Sequence, residues 1–191
     1  FLASAFAAGP ALIILALQVI RRVTASSSAV ELAAIQAQRT QHPAGRPATN
    51  ADIDLLSCHL PELAALTPEQ RTAALTGATV FEVGAGELLL KQGEVDTHAF
   101  FVLHGRVVVK REENGRLRIT RSVTPGGQFG EVSALNGTPR VASALAEVPT
   151  RVLCLPAGSL RQMMANPKVE AIIRSHMSER LMITDHALLT L

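Results

Sequence analysis

Glu131 and Arg140 stand nine positions apart in the run Gly126-Gly127-Gln128-Phe129-Gly130-Glu131-Val132-Ser133-Ala134-Leu135-Asn136-Gly137-Thr138-Pro139-Arg140-Val141-Ala142-Ser143. One is an acceptor-only carboxylate and the other a permanently charged planar fork. Such a pair suits a ligand carrying both a phosphate and a free hydroxyl. Arg140 would pair with phosphate oxygens, and Glu131 would accept from the hydroxyl. Gly130 has no Cβ, so the main chain can approach a ligand closely or take a positive φ. Val132 to Leu135 read as one helical turn, whose free N–H groups suit a phosphate. Phe129 is the apolar plug that pins the loop to the core, and Pro139 fixes φ just before Arg140. Taken singly, a Phe-Gly-Glu triplet marks a strand end beside a surface carboxylate, and an arginine after proline is a solvated side chain. The spacing joins them.

Phe-Gly-Glu, a few small or aliphatic residues, a short variable stretch, then Pro-Arg, one residue, Ala and Ser resembles the phosphate-binding cassette of the cyclic nucleotide-binding domain family. That resemblance implies a nucleotide site at Phe129, Gly130, Glu131, Val132, Ser133, Arg140, Val141 and Ala142, with the ribose 2′-hydroxyl at Glu131. The stretch from Gly93 to Val109 resembles the family's second motif, whose aspartate orients the cassette arginine. Asp96 takes that place, with turn capping as its alternative role. The family's last helix swings over the base. Arg180 or its neighbours Met177, Leu181 and Met182 would then cap the ligand, and core packing is the competing role for the apolar ones. Members that prefer guanine carry Thr beside the cassette arginine. Val141 offers no hydroxyl there, so cAMP is expected over cGMP, and no cofactor is implied.

The elements that must position these groups are short. Ala78–Val83, Glu87–Gln92, His98–His104, Arg106–Lys110, Leu117–Thr124, Arg140–Glu147 and Arg151–Leu155 are β-branched or apolar runs separated by glycine turns. Several alternate in period two, as half-buried strands do. The expected fold is mainly β with flanking helices: an eight-stranded, jelly-roll-like β-roll with a short cassette helix and a C-terminal lid helix. Helical spacing covers Asp52–Leu60, Thr67–Leu75, Leu160–Ala165 and a longer pattern after Pro167. Thr67-Pro68-Glu69-Gln70 reads as a capped start, and Gly77 as a stop.

Residues 1–20 are of another kind, uncharged throughout and followed at once by Arg21-Arg22. Twenty helical residues reach roughly 30 Å, a bilayer core, and the arginines mark the following segment as cytoplasmic. A secretory signal fits poorly, since the basic pair follows the apolar run; a buried soluble helix is the other alternative. The expectation is a transmembrane helix over 1–22, a flexible linker over 23–50 and the nucleotide domain over 51–191. The protein would lie at the cell inner membrane with 23–191 in the cytoplasm, and any homo-oligomer would form through the membrane part. The linker holds a helical pattern at Ala29–Arg39 and is then broken by Pro43 and Pro47, which suits a tail on a transporter better than a channel's helical connector.

Net charge of +2 is too small to argue for nucleic acid. The 36 residues after Leu155 are too few for closing helices plus a DNA-reading unit. Six histidines do not fall at metal-ligand spacing, and neither a Gly-x-Ser-x-Gly elbow nor a phosphate-binding Walker loop occurs. An enzyme is not expected. Cys58 and Cys154 stand far apart, as reduced thiols do. Two functions compete: a cyclic nucleotide sensor regulating an attached membrane transport protein, or a structural module of the same fold that has lost the ligand.

Overall fold

The computed structural model describes residues 29–37 and 43–186, with side chains through residue 178. The expected transmembrane helix over 1–22 lies outside the described residues. Two compact units divide the chain, one of Phe1–Gln38 with Glu112–Arg118 and one of Arg39–Arg111 with Ile119–Leu191. The first contains a helix described over residues 29–37 (α1). It also holds a hairpin tip at which Asn114 and Gly115 both take positive φ, 53° and 73°. That is the backbone a two-residue hairpin turn requires.

The roll runs through β1 (Arg46–Pro47), α2 (Asn50–Ser57), a 3-10 turn (Pro61–Ala65), α3 (Pro68–Leu75), β2 (Thr79–Val83), β3 (Leu88–Leu90) and β4 (His98–His104). It continues with β5 (Val107–Glu113), β6 (Arg116–Val123), β7 (Gln128–Phe129), α4 (Glu131–Asn136), β8 (Ser143–Ala146), β9 (Thr150–Pro156), α5 (Ala157–Met164) and α6 (Pro167–His186). The strands form a five-stranded sheet ordered β1-β2-β9-β4-β7 and a four-stranded sheet ordered β3-β8-β5-β6. Nine strands are thus present among the described residues, against eight expected. Two of them, β1 and β7, are two residues long.

Alternation along β4 explains how one sheet serves two cores. Phe100 and Val102 point between the sheets, where Phe81, Leu89, Leu90, Val107, Phe129 and Val152 meet them. Ala99, Phe101 and Leu103 point the other way, into a layer built with Ile53, Leu56, Leu63, Leu160, Met163 and Ile173 of the helices. A strand covered on both faces must be apolar throughout, which is why Ala99-Phe100-Phe101-Val102-Leu103 shows no polar break. Phe100 is wholly buried and packs edge-on against Phe81 at 6.3 Å between ring centroids. Truncating it to alanine would cost about 3–5 kcal/mol. Cys154 faces Phe100 from β9, and burial pushes its thiol pKa up to about 12.

Helix starts follow sequence signals. At α3 the Thr67 hydroxyl accepts from the Gln70 amide at 3.2 Å, and the Gln70 side chain accepts from the Thr67 amide at 3.0 Å. At α2, Asp52 accepts from the Thr49 amide at 2.8 Å and pairs in a two-pronged contact with Arg46. Residues 46–50, expected in the tether, are therefore part of the roll: Arg46 and Pro47 pair with Val80 and Thr79, and Ala48 bonds to the Ala78 carbonyl at 3.0 Å.

Candidate functional site

Phe129 ends β7 opposite Phe100, its ring stacked at 5.2 Å and 13°. The chain then turns sharply at Gly130, whose φ of 78° precedes α4. A Cβ there would lie 2.9 Å from both Arg140 Nη1 and Leu90 Cδ1, so glycine is needed for backbone conformation and for space. Helix α4 begins one residue earlier than the sequence pattern, at Glu131, and is tied to the next loop by Ser133 Oγ donating to the Pro139 carbonyl at 3.1 Å.

Arg140 does not open a strand as expected. Strand β8 starts at Ser143, and Arg140 is instead clasped by the turn after β3. Its amide donates to the Glu94 carbonyl and its carbonyl accepts from the Gly93 amide, both at 2.8 Å. Ser143 Oγ accepts from the Gln92 amide at 3.0 Å and closes the same junction. The guanidinium is 1% exposed. It donates through Nη1 to the Gly130 carbonyl, and through Nη2 to Asp96 Oδ2 at 2.7 Å and the His98 carbonyl at 2.6 Å. Its Nε is buried without a hydrogen-bond partner.

Asp96 contacts both Arg140 and its own turn. Its other oxygen accepts from the His98 amide at 3.2 Å and meets His98 Nδ1 at 2.6 Å. Burial disfavours its charge, but the hydrogen bonds from His98 and Arg140 outweigh that and hold the carboxyl below its ordinary value. An ionised Asp96 thus fixes the rotamer of an arginine that could otherwise take many.

A cavity of about 190 Å³ lies against these groups. Its walls bring together every cassette residue singled out in sequence: Phe129, Gly130, Glu131, Val132, Ser133, Arg140, Val141 and Ala142. Glu131 is buried, whereas Val141 is 61% exposed. Met177 of α6 lines the cavity too. Arg180 lies on α6, but its side chain, like those of Leu181 and Met182, falls outside the described residues. The sequence reading missed Leu90 and Ala144, and a further wall of Val109, Arg111, Thr120 and Arg121 from β5 and β6. Period-two alternation was the available signal, since Val109 and Arg111 share one face of β5. Which face turns inward depends on sheet closure, which alternation does not specify. Chemically, the cavity offers a buried cation whose Nε is unpartnered, a buried carboxylate and otherwise largely apolar walls.

Residues 80–166 match the family model of the cyclic nucleotide-binding domain. The chain is 33% identical over 73 residues to a cAMP-dependent protein kinase regulatory subunit of Mucor circinelloides f. lusitanicus, covering 38% of this chain and 17% of that protein. It is 29% identical over 101 residues to the corresponding subunit of Blastocladiella emersonii, covering 52% and 25%. The Thermus thermophilus catabolite activator protein superposes with a TM-score of 0.56 at 28% identity, over 67% of this chain and 61% of that one. The chain spans a quarter or less of the length of these two kinase subunits.

These findings correct the expected location. The relatives are kinase regulatory subunits, and among the described residues no helix is long and apolar enough to cross a membrane. Placement at the inner membrane is not upheld, and the transport partner and the oligomer expected through a membrane part rested on it.

Proposed function

We propose that the chain is a sensor whose cavity takes a cyclic nucleotide, with adenine preferred to guanine, a reading supported by the match of residues 80–166 to the family model of the cyclic nucleotide-binding domain. The observation that carries this reading is Arg140. A guanidinium 1% exposed and fixed by Asp96 and two carbonyls lines a cavity, and its Nε is without a hydrogen-bond partner. A buried donor without an acceptor is costly, and an anionic phosphodiester relieves that cost. Glu131 accepts the ribose 2′-hydroxyl. Val141 gives the guanine amino group no acceptor, which favours adenine. Closure of α6, bringing Met177 and the Arg180 region over the base, couples occupancy to whatever the sensor regulates, provided the ligand binds the closed form better. The sensor runs from about Arg46 to the end of α6. A scaffold that had lost its ligand would have no use for a preorganised, buried arginine, which is why sensing is the better reading.

Titrating the 191-residue chain with cAMP, cGMP and 5′-AMP tests it. Saturable binding of the cyclic forms, tighter for cAMP and far weaker for 5′-AMP, supports the reading. Absence of any cyclic nucleotide binding overturns it.

A further inference from the structure

Gln128 sits one position before the Phe-Gly-Glu triplet and is completely buried. Its side-chain Nε2 donates at 3.2 Å to the carbonyl of Ile173 in α6, 45 positions away. Its own carbonyl accepts from Arg121 Nη2 at 2.9 Å, and Arg121 lines the cavity. One residue therefore joins three things: the strand leading into the cassette, a wall of the cavity, and the helix above it. Ile173 is itself 1% exposed, and Met177, one helical turn further on, lines the cavity. A helix carbonyl has a second lone pair, so it can accept the glutamine without leaving the helix ladder.

Apolar contacts hold α6 as well, through Val169 and Ile173, and Asn166 anchors its start to the Ala65 carbonyl at 2.9 Å. Apolar packing is non-directional and tolerates a slide or a rotation. A side-chain amide bonded to one carbonyl does not. Breaking it leaves polar atoms buried, so the bond selects one rotational setting of α6, the one that presents Met177 to the cavity.

We propose that Gln128 is the positioning residue that latches α6 to the nucleotide cassette, so that the setting of the cassette strand and the setting of the lid helix change together. The latch itself is present without ligand. Only its effect on ligand residence rests on the function proposed above.

The test uses the 191-residue chain as wild type and as Gln128→Met, which keeps the length of the side chain and removes the donor. Hydrogen exchange of the ligand-free proteins should show residues 168–178 opening about tenfold faster in the variant, the share one buried hydrogen bond carries, while β4 and β9 keep their rates. Stopped-flow release of cAMP should be faster by a similar factor with an unchanged on-rate. Unaltered exchange across 168–178 overturns the latch, and so does a uniform acceleration that includes β4 and β9, which is ordinary destabilisation. A wild-type chain that binds no cyclic nucleotide refutes the function proposed above, yet the exchange comparison still decides the latch.

Discussion

Replacing Arg140 with lysine isolates what the fork contributes. In the native side chain, Nη1 and Nη2 serve the Gly130 carbonyl, Asp96 and the His98 carbonyl, and Nε is without a partner. Lysine keeps the positive charge beside Asp96 but brings three donors on one nitrogen at the end of a flexible stem. It cannot satisfy Asp96, reach both carbonyls and still face the phosphate. The ligand then loses one charge-assisted hydrogen bond, about 1.5–3 kcal/mol, or roughly 10- to 150-fold in Kd. Arg140→Leu is the poorer probe. It would leave Asp96 Oδ2 and the Gly130 and His98 carbonyls without this donor, and each buried group so unpaired costs about 1–3 kcal/mol from a total of about 5–15 kcal/mol for a domain, so lost binding would be confounded with lost stability. Calorimetric titration of the Lys variant, beside a thermal melt, reads both quantities. Because the phosphate is common to all cyclic nucleotides, cAMP and cGMP should weaken together. A folded variant that binds cAMP within about threefold of wild type, against the tenfold minimum worked above, would show that the fork does not meet the phosphate.

Glu131→Ala should weaken cAMP about tenfold or more, the worth of a hydrogen bond to a carboxylate, and leave 2′-deoxy-cAMP nearly unchanged; equal losses for the two ligands would remove Glu131 from the ribose. Val141→Thr should narrow the preference for cAMP over cGMP by up to about tenfold, one hydrogen bond's worth, in competition binding, and an unmoved ratio counts against the role given to that position. The hydrogen bonds from Arg46, helped by Thr49 and opposed by burial, hold the Asp52 carboxyl at about 2. A depressed carboxyl contributes stability that is complete above its ordinary value near 4 and is lost as pH falls toward 2. Asp52→Asn should therefore flatten the acid limb of the stability curve between pH 4 and pH 2, by about 1 kcal/mol once the exposed Arg46 partner is discounted; denaturant melts at pH 6 and pH 2.5 that fall equally in both proteins would refute it.

The site was legible where chemistry depends on residue type and spacing. The cassette residues line one cavity, and the Asp96–Arg140 contact joins positions 44 apart. Strand β4 has the bounds read from its sequence because both of its faces are buried. Helix α3 begins where its capping residues said it would. What could not be read depends on tertiary closure. Strands β1 and β7 are two residues long, too short to show a period, and β1 includes a proline, which lacks the N–H a strand pattern leads one to expect. Arg140 lies in a run that alternates like a strand, yet its backbone bonds go to the Gly93–Glu94 turn rather than to a ladder. Gln128 gave no signal. A polar residue beside an apolar one at a strand end reads as exposed, and only the arrival of α6 makes it a buried donor.

The two cysteines differ in a way that supplies a gauge. With its pKa near 12, the Cys154 thiol has a thiolate fraction on the order of 10⁻⁵ at neutral pH, and the rings around it block reagents. Cys58 is exposed at the end of α2. Alkylation of the unmodified protein should thus proceed in two steps: one equivalent promptly, the second only when the sheets part. The slow step counts excursions of the roll's interior into solvent, so the natural sequence carries its own clock for opening, and a fluorophore placed on Cys58 leaves the core untouched.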